Sequence, residues 1–311
     1  MRLRVAAIDI GTNTTRLLVA EAGAGSMRDL DRRMEFTRLG ASVDSTGSFQ
    51  EAAIARTLAT VGEFCAIAGE FSVERLRVAG TSAMRDSVGS AKLVEALEQV
   101  SGNPVEILTG EQEGVLSFLG GTKDLSAALC LVCDIGGGST ELAIGASGSP
   151  PEGVVSLDIG SVRLTERMLK SDPPAIEEML LLEHEIDEML HGVPQIFTLA
   201  EEARLVGVAG TVTTLAALSL GLEAHDPSRT HGLELDVGSV RRLYRSLASM
   251  TTKERLQLPG MPQGRADVIV AGVSILSRVI ARWSFESLVV SETDILDGLV
   301  LDMLATGDID G

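Results

Sequence analysis

The most informative segment of this chain is Cys133-Asp134-Ile135-Gly136-Gly137-Gly138-Ser139-Thr140-Glu141. The apolar run before it predicts a buried strand that ends at Asp134. Three successive glycines let the backbone turn tightly, so that several amide N–H groups can converge on one anion. Asp134 and Glu141, at the two ends of the loop, carry the oxygen ligands that hold a divalent cation against phosphate. The segment therefore predicts a phosphate-binding hairpin, and a glycine-rich hairpin that binds nothing is the alternative. Its candidate binding residues are Gly136, Gly137, Gly138 and Ser139.

The same pattern occurs at the N-terminus, and a weaker form of it occurs in residues 207–214. An apolar run leads into Asp9-Ile10-Gly11-Thr12-Asn13-Thr14, and a second apolar run follows Arg16. Residues 207–214 form a third loop of this kind, in which Thr211 is predicted to cap the following helix. The candidate binding residues there are Gly210, Thr211 and Thr213. Three such loops in one chain predict two similar lobes that face each other across a polyphosphate ligand.

Composition and charge limit the classes of function. The chain has 311 residues, of which 45% are hydrophobic and 23% charged, and this is enough for two domains with a core each. A formal net charge of −18 argues against a nucleic-acid surface, which needs a basic stripe. The three cysteines are predicted to be reduced core thiols, as in a cytoplasmic protein. The uncharged run of residues 205–222 fits a strand, a turn and a helix better than a membrane span, so a soluble protein is expected.

Arginines and glutamates near strand ends are further candidates. Arg85 and Arg163 each follow a predicted strand, at the edge where ligands gather in open α/β sheets. Arg85 is either a phosphate clamp or a surface arginine that pairs with Asp86. Glu111 and Glu113 lie in the first turn of a predicted helix, where a carboxylate either interacts with the helix dipole or activates water in the cleft. The sequence does not separate these two glutamates.

Two helices are predicted near the C-terminus. The first covers residues 264–283, with Arg265 and Asp267 in its first turn, and the second covers residues 294–304. No extended linker interrupts the pattern, so the two lobes are predicted to be joined directly.

Together these motifs resemble the exopolyphosphatase/guanosine pentaphosphate phosphatase (Ppx/GppA) family over essentially the whole length. The residues that carry the resemblance are 9–13, 80–85, 110–114, 134–141, 160–165, 207–211, 231–232 and 265–267. The resemblance implies an α/β fold of two ribonuclease-H-like lobes, with mixed sheets flanked by helices and a cleft between them, as in the actin, sugar-kinase and Hsp70 ATPase superfamily. It implies an N-terminal lobe of residues 1–124 with 295–311 and a C-terminal lobe of residues 125–294, as in the short two-domain members.

One motif departs from the family. Where members often have Gly-Leu-Arg-Glu-Gly, this chain has Asp294-Ile295-Leu296-Asp297-Gly298. The arginine is missing, so a phosphate contact from this position is not expected.

The resemblance implies an exopolyphosphatase that releases terminal orthophosphate from inorganic polyphosphate by metal-assisted attack of water. Backbone amides of residues 11–14, 136–139 and 210–213 would hold successive phosphates. Mg²⁺, or Mn²⁺ in its place, would lie on Asp134 and Glu141, with Asp9 nearby. A homodimer is also expected from the resemblance.

The resemblance also implies roles for charged side chains. Glu113 is expected to activate the attacking water, with Glu111 as the reserve candidate. Arg85, Arg16 and Arg163 are expected to stabilise the equatorial oxygens of the transferred phosphoryl group.

Three alternatives stay open. Hydrolysis of the 5′-phosphate of guanosine pentaphosphate needs the same loops and a base pocket, and the aromatic content of 3% weakly disfavours base stacking. A non-catalytic polyphosphate or alarmone sensor would not need Asp9, Glu113, Asp134 and Glu141 together. An ATP-driven chaperone or a sugar kinase uses the same two lobes, but the Glu113 segment fits the phosphatases better.

Overall fold

The computed structural model of the protein describes residues 3–23, 26–126 and 128–306. The ends of the predicted N-terminal lobe, residues 1–2 and 307–311, lie outside the described residues. The strands are β1 (Leu3–Ile10), β2 (Thr15–Gly23), β3 (Ser26–Glu35), β4 (Arg75–Gly80), β5 (Val105–Ile107), β6 (Leu129–Ile135), β7 (Thr140–Ala146), β8 (Gly153–Leu157), β9 (Arg204–Val208), β10 (Glu234–Asp236) and β11 (Ser287–Val290). The helices are α1 (Val43–Thr46), α2 (Glu51–Glu70), α3 (Ser82–Asp86), α4 (Ser90–Ser101), α5 (Gly110–Thr122), α6 (Ser161–Met168), α7 (Ile176–His191), α8 (Ala209–Ser219), α9 (Pro227–Thr230), α10 (Val237–Ser249), α11 (Thr252–Arg255), α12 (Ile269–Trp283) and α13 (Ile295–Thr306), with a 3₁₀ segment at Gln195–Glu202.

The first sheet has the strand order β3-β2-β1-β4-β5. Strands β1, β4 and β5 are parallel, and β2 is antiparallel to both β1 and β3. Side chains of β1 alternate between two cores: Ala6 and Ile8 pack in the core that α2 and α4 cover, and Val5 and Ala7 pack in the core that α13 covers. Because both faces are covered, the strand is continuously apolar.

The second sheet repeats the first. Its order is β10-β11-β9-β6-β7-β8, in which β8-β7-β6-β9-β11 has the strand order and directions of the first sheet, and β10 is an added antiparallel edge strand. The predicted pair of ribonuclease-H-like lobes is confirmed. The two equivalent hairpins place Asp9 opposite Arg16 and Asp134 opposite Glu141.

Helices α5 and α13 lie between the two sheets. Leu116 of α5 packs with α13 in the core of the first sheet, whereas Phe118 packs in a core of the second sheet with Cys130 and Val132. The helices cross in backbone contact, because a Cβ at Gly298 would overlap the backbone of Leu116. Since α5 packs against both lobes, the boundary at residue 124 stays a prediction.

Gly298→Ala is expected to destabilise the fold by about 1–3 kcal/mol, because the added methyl group forces α13 away from α5. Gly69→Ala is the control, since Gly69 is exposed near the end of α2 and a Cβ there meets nothing within 4 Å. That variant should be neutral or slightly more stable. Thermal unfolding of the two variants tests the contact, and equal melting temperatures would contradict it.

Two predicted helix starts differ from the structure. The helix predicted from residue 264 begins at Ile269, because Gly264 packs against the Phe36 ring and its carbonyl accepts a hydrogen bond from Asn13. Helix α8 begins at Ala209, where a φ of 65° turns the chain directly out of β9. Thr211 therefore lies inside the helix and is not its N-cap.

Residues 205–219 belong to β9 and α8, which confirms the predicted strand and helix, although no turn separates them. By length and composition alone, α2 would be able to cross a membrane. Its buried side packs on the core of the first sheet through Val61, Phe64 and Ala68. This packing is typical of a helix that covers a domain core.

Candidate active site

The two glycine hairpins form opposing walls of one cleft, as predicted. Each loop is closed by the same backbone hydrogen bond, from Gly11 N to Thr14 O at 2.9 Å and from Gly136 N to Ser139 O at 3.0 Å. The loops touch, because a Cβ at Gly137 would lie 2.9 Å from Thr12 Cβ. The cleft therefore depends on glycine at this point of closest approach.

A cavity of about 760 Å³ lies between the lobes. Most of the predicted site residues line it: Asp9, Gly11, Thr12, Asn13, Thr14, Arg16, Glu113, Asp134, Gly136, Gly137, Gly138, Ser139, Glu141, Gly210 and Thr213. Four predicted residues are not among its lining residues: Arg85, Glu111, Arg163 and Thr211.

The structure separates the two glutamates of α5. A capping box between Thr109 and Gln112 sets the helix start, and the following turn directs Glu113 into the cavity with only 6% of its surface exposed. Glu111 is exposed and outside the cavity. Arg85 binds the Glu113 carboxylate and donates to the Leu108 carbonyl at 2.8 Å. Arg85 therefore positions Glu113, and the predicted pairing of Arg85 with Asp86 is absent from the described ion pairs.

Asp134 and Glu141 are buried side by side across the β6–β7 pair. Ser117 Oγ donates to Asp134 Oδ2 at 2.5 Å, and Ser156 Oγ donates to Glu141 Oε1 at 2.7 Å. Burial raises the pKa of both carboxyls, and the negative charge of Asp134 raises the pKa of Glu141 further. A cation between them would favour the state in which both are ionised.

Arg16 is paired with carboxylates. Its guanidinium contacts Asp9 Oδ2 at 2.6 Å and also binds Asp294. Arg16 was predicted to stabilise phosphoryl oxygens, but two acidic partners already engage it in this state. Burial raises the pKa of Asp9 against the opposing effect of Arg16. The second carboxylate oxygen of Asp9 is buried without a hydrogen-bond partner among the described residues.

The carboxylate oxygens in the cavity suit a hard divalent cation whose coordination is completed by substrate phosphates. In the part of the chain that the structure describes, no three His, Cys, Asp or Glu side chains are grouped closely enough to hold a metal by themselves. Mg²⁺ is usually held by one or two carboxylates together with substrate phosphates and water. Asp134 and Glu141, with the unpartnered oxygen of Asp9 in the same cavity, supply such a partial set.

Arg163 and Thr211 lie elsewhere than predicted. Arg163 extends from α6 to the other side of the glycine loop, where it donates to Gly138 O at 2.7 Å and pairs with Asp44 at 3.0 Å. Thr211 is fully buried, and its methyl and hydroxyl pack against Gly272 of α12. Because α8 begins three residues earlier than predicted, Thr211 points to the core and not to the cavity.

Arg265 lines the cavity, and sequence reasoning did not assign it a role. It is only 6% exposed, lines the cavity, and stacks on Phe36 with 5.7 Å between its guanidinium carbon and the ring centroid. Its Nε has no hydrogen-bond partner among the described residues, and Asp267 pairs instead with Arg38 at 2.8 Å. Burial, followed by the charge of Arg16, lowers the pKa of Arg265 to about 10. The motif 265–267 was the signal that could have identified it.

Comparison with known proteins gives the family. Residues 18–306 match the Ppx/GppA phosphatase family. The chain is 38% identical to Exopolyphosphatase 2 of Mycobacterium tuberculosis, over 96% of this chain and 98% of that protein. The crystal structure of an exopolyphosphatase-like protein superposes with a TM-score of 0.91 at 35% identity, covering 98% of this chain and 99% of that chain. The Aquifex aeolicus member of the Ppx/GppA family superposes with a TM-score of 0.82 at 32% identity, covering 99% of each chain. This chain therefore belongs to the Ppx/GppA phosphatase family.

Proposed function

We propose that this protein is an exopolyphosphatase, which releases orthophosphate from the end of inorganic polyphosphate by attack of water. The observation that carries the proposal is the cavity in which two glycine loops, Glu113 and Arg265 surround one space of about 760 Å³. The activity named for the M. tuberculosis relative supports it.

The shape of the cavity favours cleavage at a chain end. Thr12, Ser82 and Gly138 pack against each other and close the cavity on one side, since a Cβ at Gly138 would lie 2.9 Å from Thr12 Oγ1 and overlap Ser82. Arg85, which binds Glu113, belongs to the same short helix as Ser82. Glu113 therefore lies near the closed side, where the end of a linear substrate would reach it and the middle of a chain would not.

The chain's own residues supply binding and proton transfer. The loop amides and the Arg265 guanidinium bind phosphate oxygens through charge-assisted hydrogen bonds. Glu113, oriented by Arg85, accepts a proton from water as the water oxygen bonds to the terminal phosphorus. The bond from that phosphorus to the bridging oxygen breaks, and the bridging oxygen leaves with the shortened chain.

Asp134 and Glu141 would hold Mg²⁺, or Mn²⁺ in its place, with Asp9 close by. When bound, the cation neutralises charge on phosphate oxygens. Ser117 and Ser156 hold the two carboxylates in place for this purpose.

Phosphate release from polyphosphate of several defined lengths, guanosine pentaphosphate and ATP tests the proposal. Polyphosphate is expected to be the best substrate, and EDTA is expected to abolish release until Mg²⁺ is restored. The proposal fails if polyphosphate gives no more phosphate than a Glu113→Gln control, or if guanosine pentaphosphate or ATP is clearly preferred.

A further inference from the structure

A second, smaller cavity of about 250 Å³ lies behind the glycine loop. Thr12, Ser82 and Gly138 line both cavities, so these three residues form the wall between them. Gly138 itself lines both cavities. The small cavity therefore adjoins the closed side of the large one.

Arg163 supports this wall from the small-cavity side. Its Nε donates to Gly138 O at 2.7 Å, and its other nitrogens reach Ser82 Oγ at 3.4 Å and bind Asp44 and Asp86. Asp44 and Asp86 belong to the first lobe, and Arg163 belongs to the second. The Arg163 ion pairs thus hold the wall closed across the junction of the lobes.

The reaction produces orthophosphate at the closed side of the large cavity. If the shortened chain stays bound, it occupies the space between that phosphate and the mouth. Orthophosphate must then wait for the chain to dissociate, or it must leave through the wall. A space of about 250 Å³ is ample for orthophosphate, since water occupies about 30 Å³ in the liquid.

We propose that the small cavity is the exit route for orthophosphate and that Arg163, with Asp44 and Asp86, is its gate. The inference rests on the proposed exopolyphosphatase function. When its ion pairs open, Arg163 offers a leaving phosphate a cationic contact. The carboxylates of Asp44, Asp86 and Glu166 repel the anion, so they oppose both its entry and its retention, and the contact with Arg163 must offset the first effect. Exit by this route lets the enzyme cleave the same chain repeatedly.

Reversible chemical blocking of the small cavity tests the exit route. Asp44→Cys, in a Cys65→Ser background, places a thiol at the rim of the small cavity, and the remaining Cys130 and Cys133 have no exposed surface. A bulky methanethiosulfonate reagent blocks the rim, and dithiothreitol removes it. Ser45→Cys with the same reagent is the matched control, because Ser45 is exposed next to Asp44 and does not line the cavity.

The readouts are phosphate formed in the first turnover, measured by acid quench, and the steady-state rate on polyphosphate. The labelled Asp44→Cys enzyme is expected to form about one phosphate per site at the normal rate and then to slow by about tenfold or more, with recovery in dithiothreitol. An unchanged steady-state rate would overturn the exit route. If the first-turnover rate fell as much as the steady-state rate, the label would be acting on the chemical step, and the exit route would also be overturned. If the unlabelled enzyme forms no phosphate in either phase, the proposed function itself fails.

Discussion

Glu113→Gln is expected to lower kcat for phosphate release from polyphosphate by about 10²- to 10⁴-fold, the usual contribution of a positioned general base. The amide keeps the size of the side chain but cannot accept the proton from water. Glu113 is buried in the cavity and held by Arg85, so the glutamine variant removes a base with a fixed position. Substrate affinity should change little, since the glycine loops and Arg265 are untouched.

Glu111→Gln is the matched control for this experiment. The two glutamates lie in the same helical turn, but Glu111 is exposed and outside the cavity. Its replacement should leave kcat within about twofold, as for an ordinary surface substitution. Steady-state kinetics and equilibrium binding of polyphosphate to both variants give the answer. Near-normal turnover in Glu113→Gln, or an equal loss in Glu111→Gln, would refute the assignment.

Arg265→Met is expected to weaken polyphosphate binding by roughly 10- to 100-fold, as expected for the loss of charge-assisted hydrogen bonds. The same change should raise the melting temperature of the substrate-free protein. The reason is that folding buries the Arg265 guanidinium without pairing its Nε, which is unfavourable until an anion arrives. Methionine fills the space beside Phe36 without that charge.

Opposite changes in affinity and stability distinguish a binding residue from a structural one. Arg282→Met is the control, because Arg282 also stacks on an aromatic ring, at 5.4 Å from Trp283, but is exposed at the far end of α12. It should change neither affinity nor melting temperature appreciably. Calorimetric titration with polyphosphate and thermal unfolding without it measure the two effects. A destabilised Arg265→Met protein with normal affinity would contradict the role in binding.

The two glycine hairpins were predictable because their signals are local. In both hairpins an apolar strand, an Asp-Ile-Gly turn and a second strand follow one another directly, within residues 3–23 and 129–146, and the structure pairs the strands in register. The duplicated pattern predicted the two lobes for the same reason. The burial of both faces of β1 and β6 explains why their apolar runs are uninterrupted.

The arginines were less predictable because their partners are distant in sequence. Arg16 pairs with Asp294, which is 278 residues away in sequence, and Arg163 pairs with Asp44, which is 119 residues away. Position after a strand indicated a ligand-binding edge, but not which side of the glycine loop each side chain occupies. Arg265 was missed because its apolar surroundings resembled a helix, whereas Gly264 packs on Phe36 and keeps the segment as a turn.

Several expectations stay predictions. The metal was predicted from Asp134 and Glu141 and from the resemblance to the family, and the cytoplasmic location was predicted from the reduced cysteines. The homodimer and the preference for polyphosphate over guanosine pentaphosphate were implied by the resemblance alone, because they depend on a second chain and on a bound ligand.

The two hairpins differ in the residue that lies opposite the aspartate, and this difference breaks the pseudo-twofold symmetry of the duplicated fold. Arg16 faces Asp9 in the first hairpin, so that this strand pair carries one charge of each sign, whereas Glu141 faces Asp134 in the second, so that this strand pair carries two carboxylates. A repeating polyanion meeting two identical walls would have no preferred direction. The exchange of arginine for glutamate between the copies makes the two walls chemically different, so we expect the proposed polyphosphate substrate to bind in one direction.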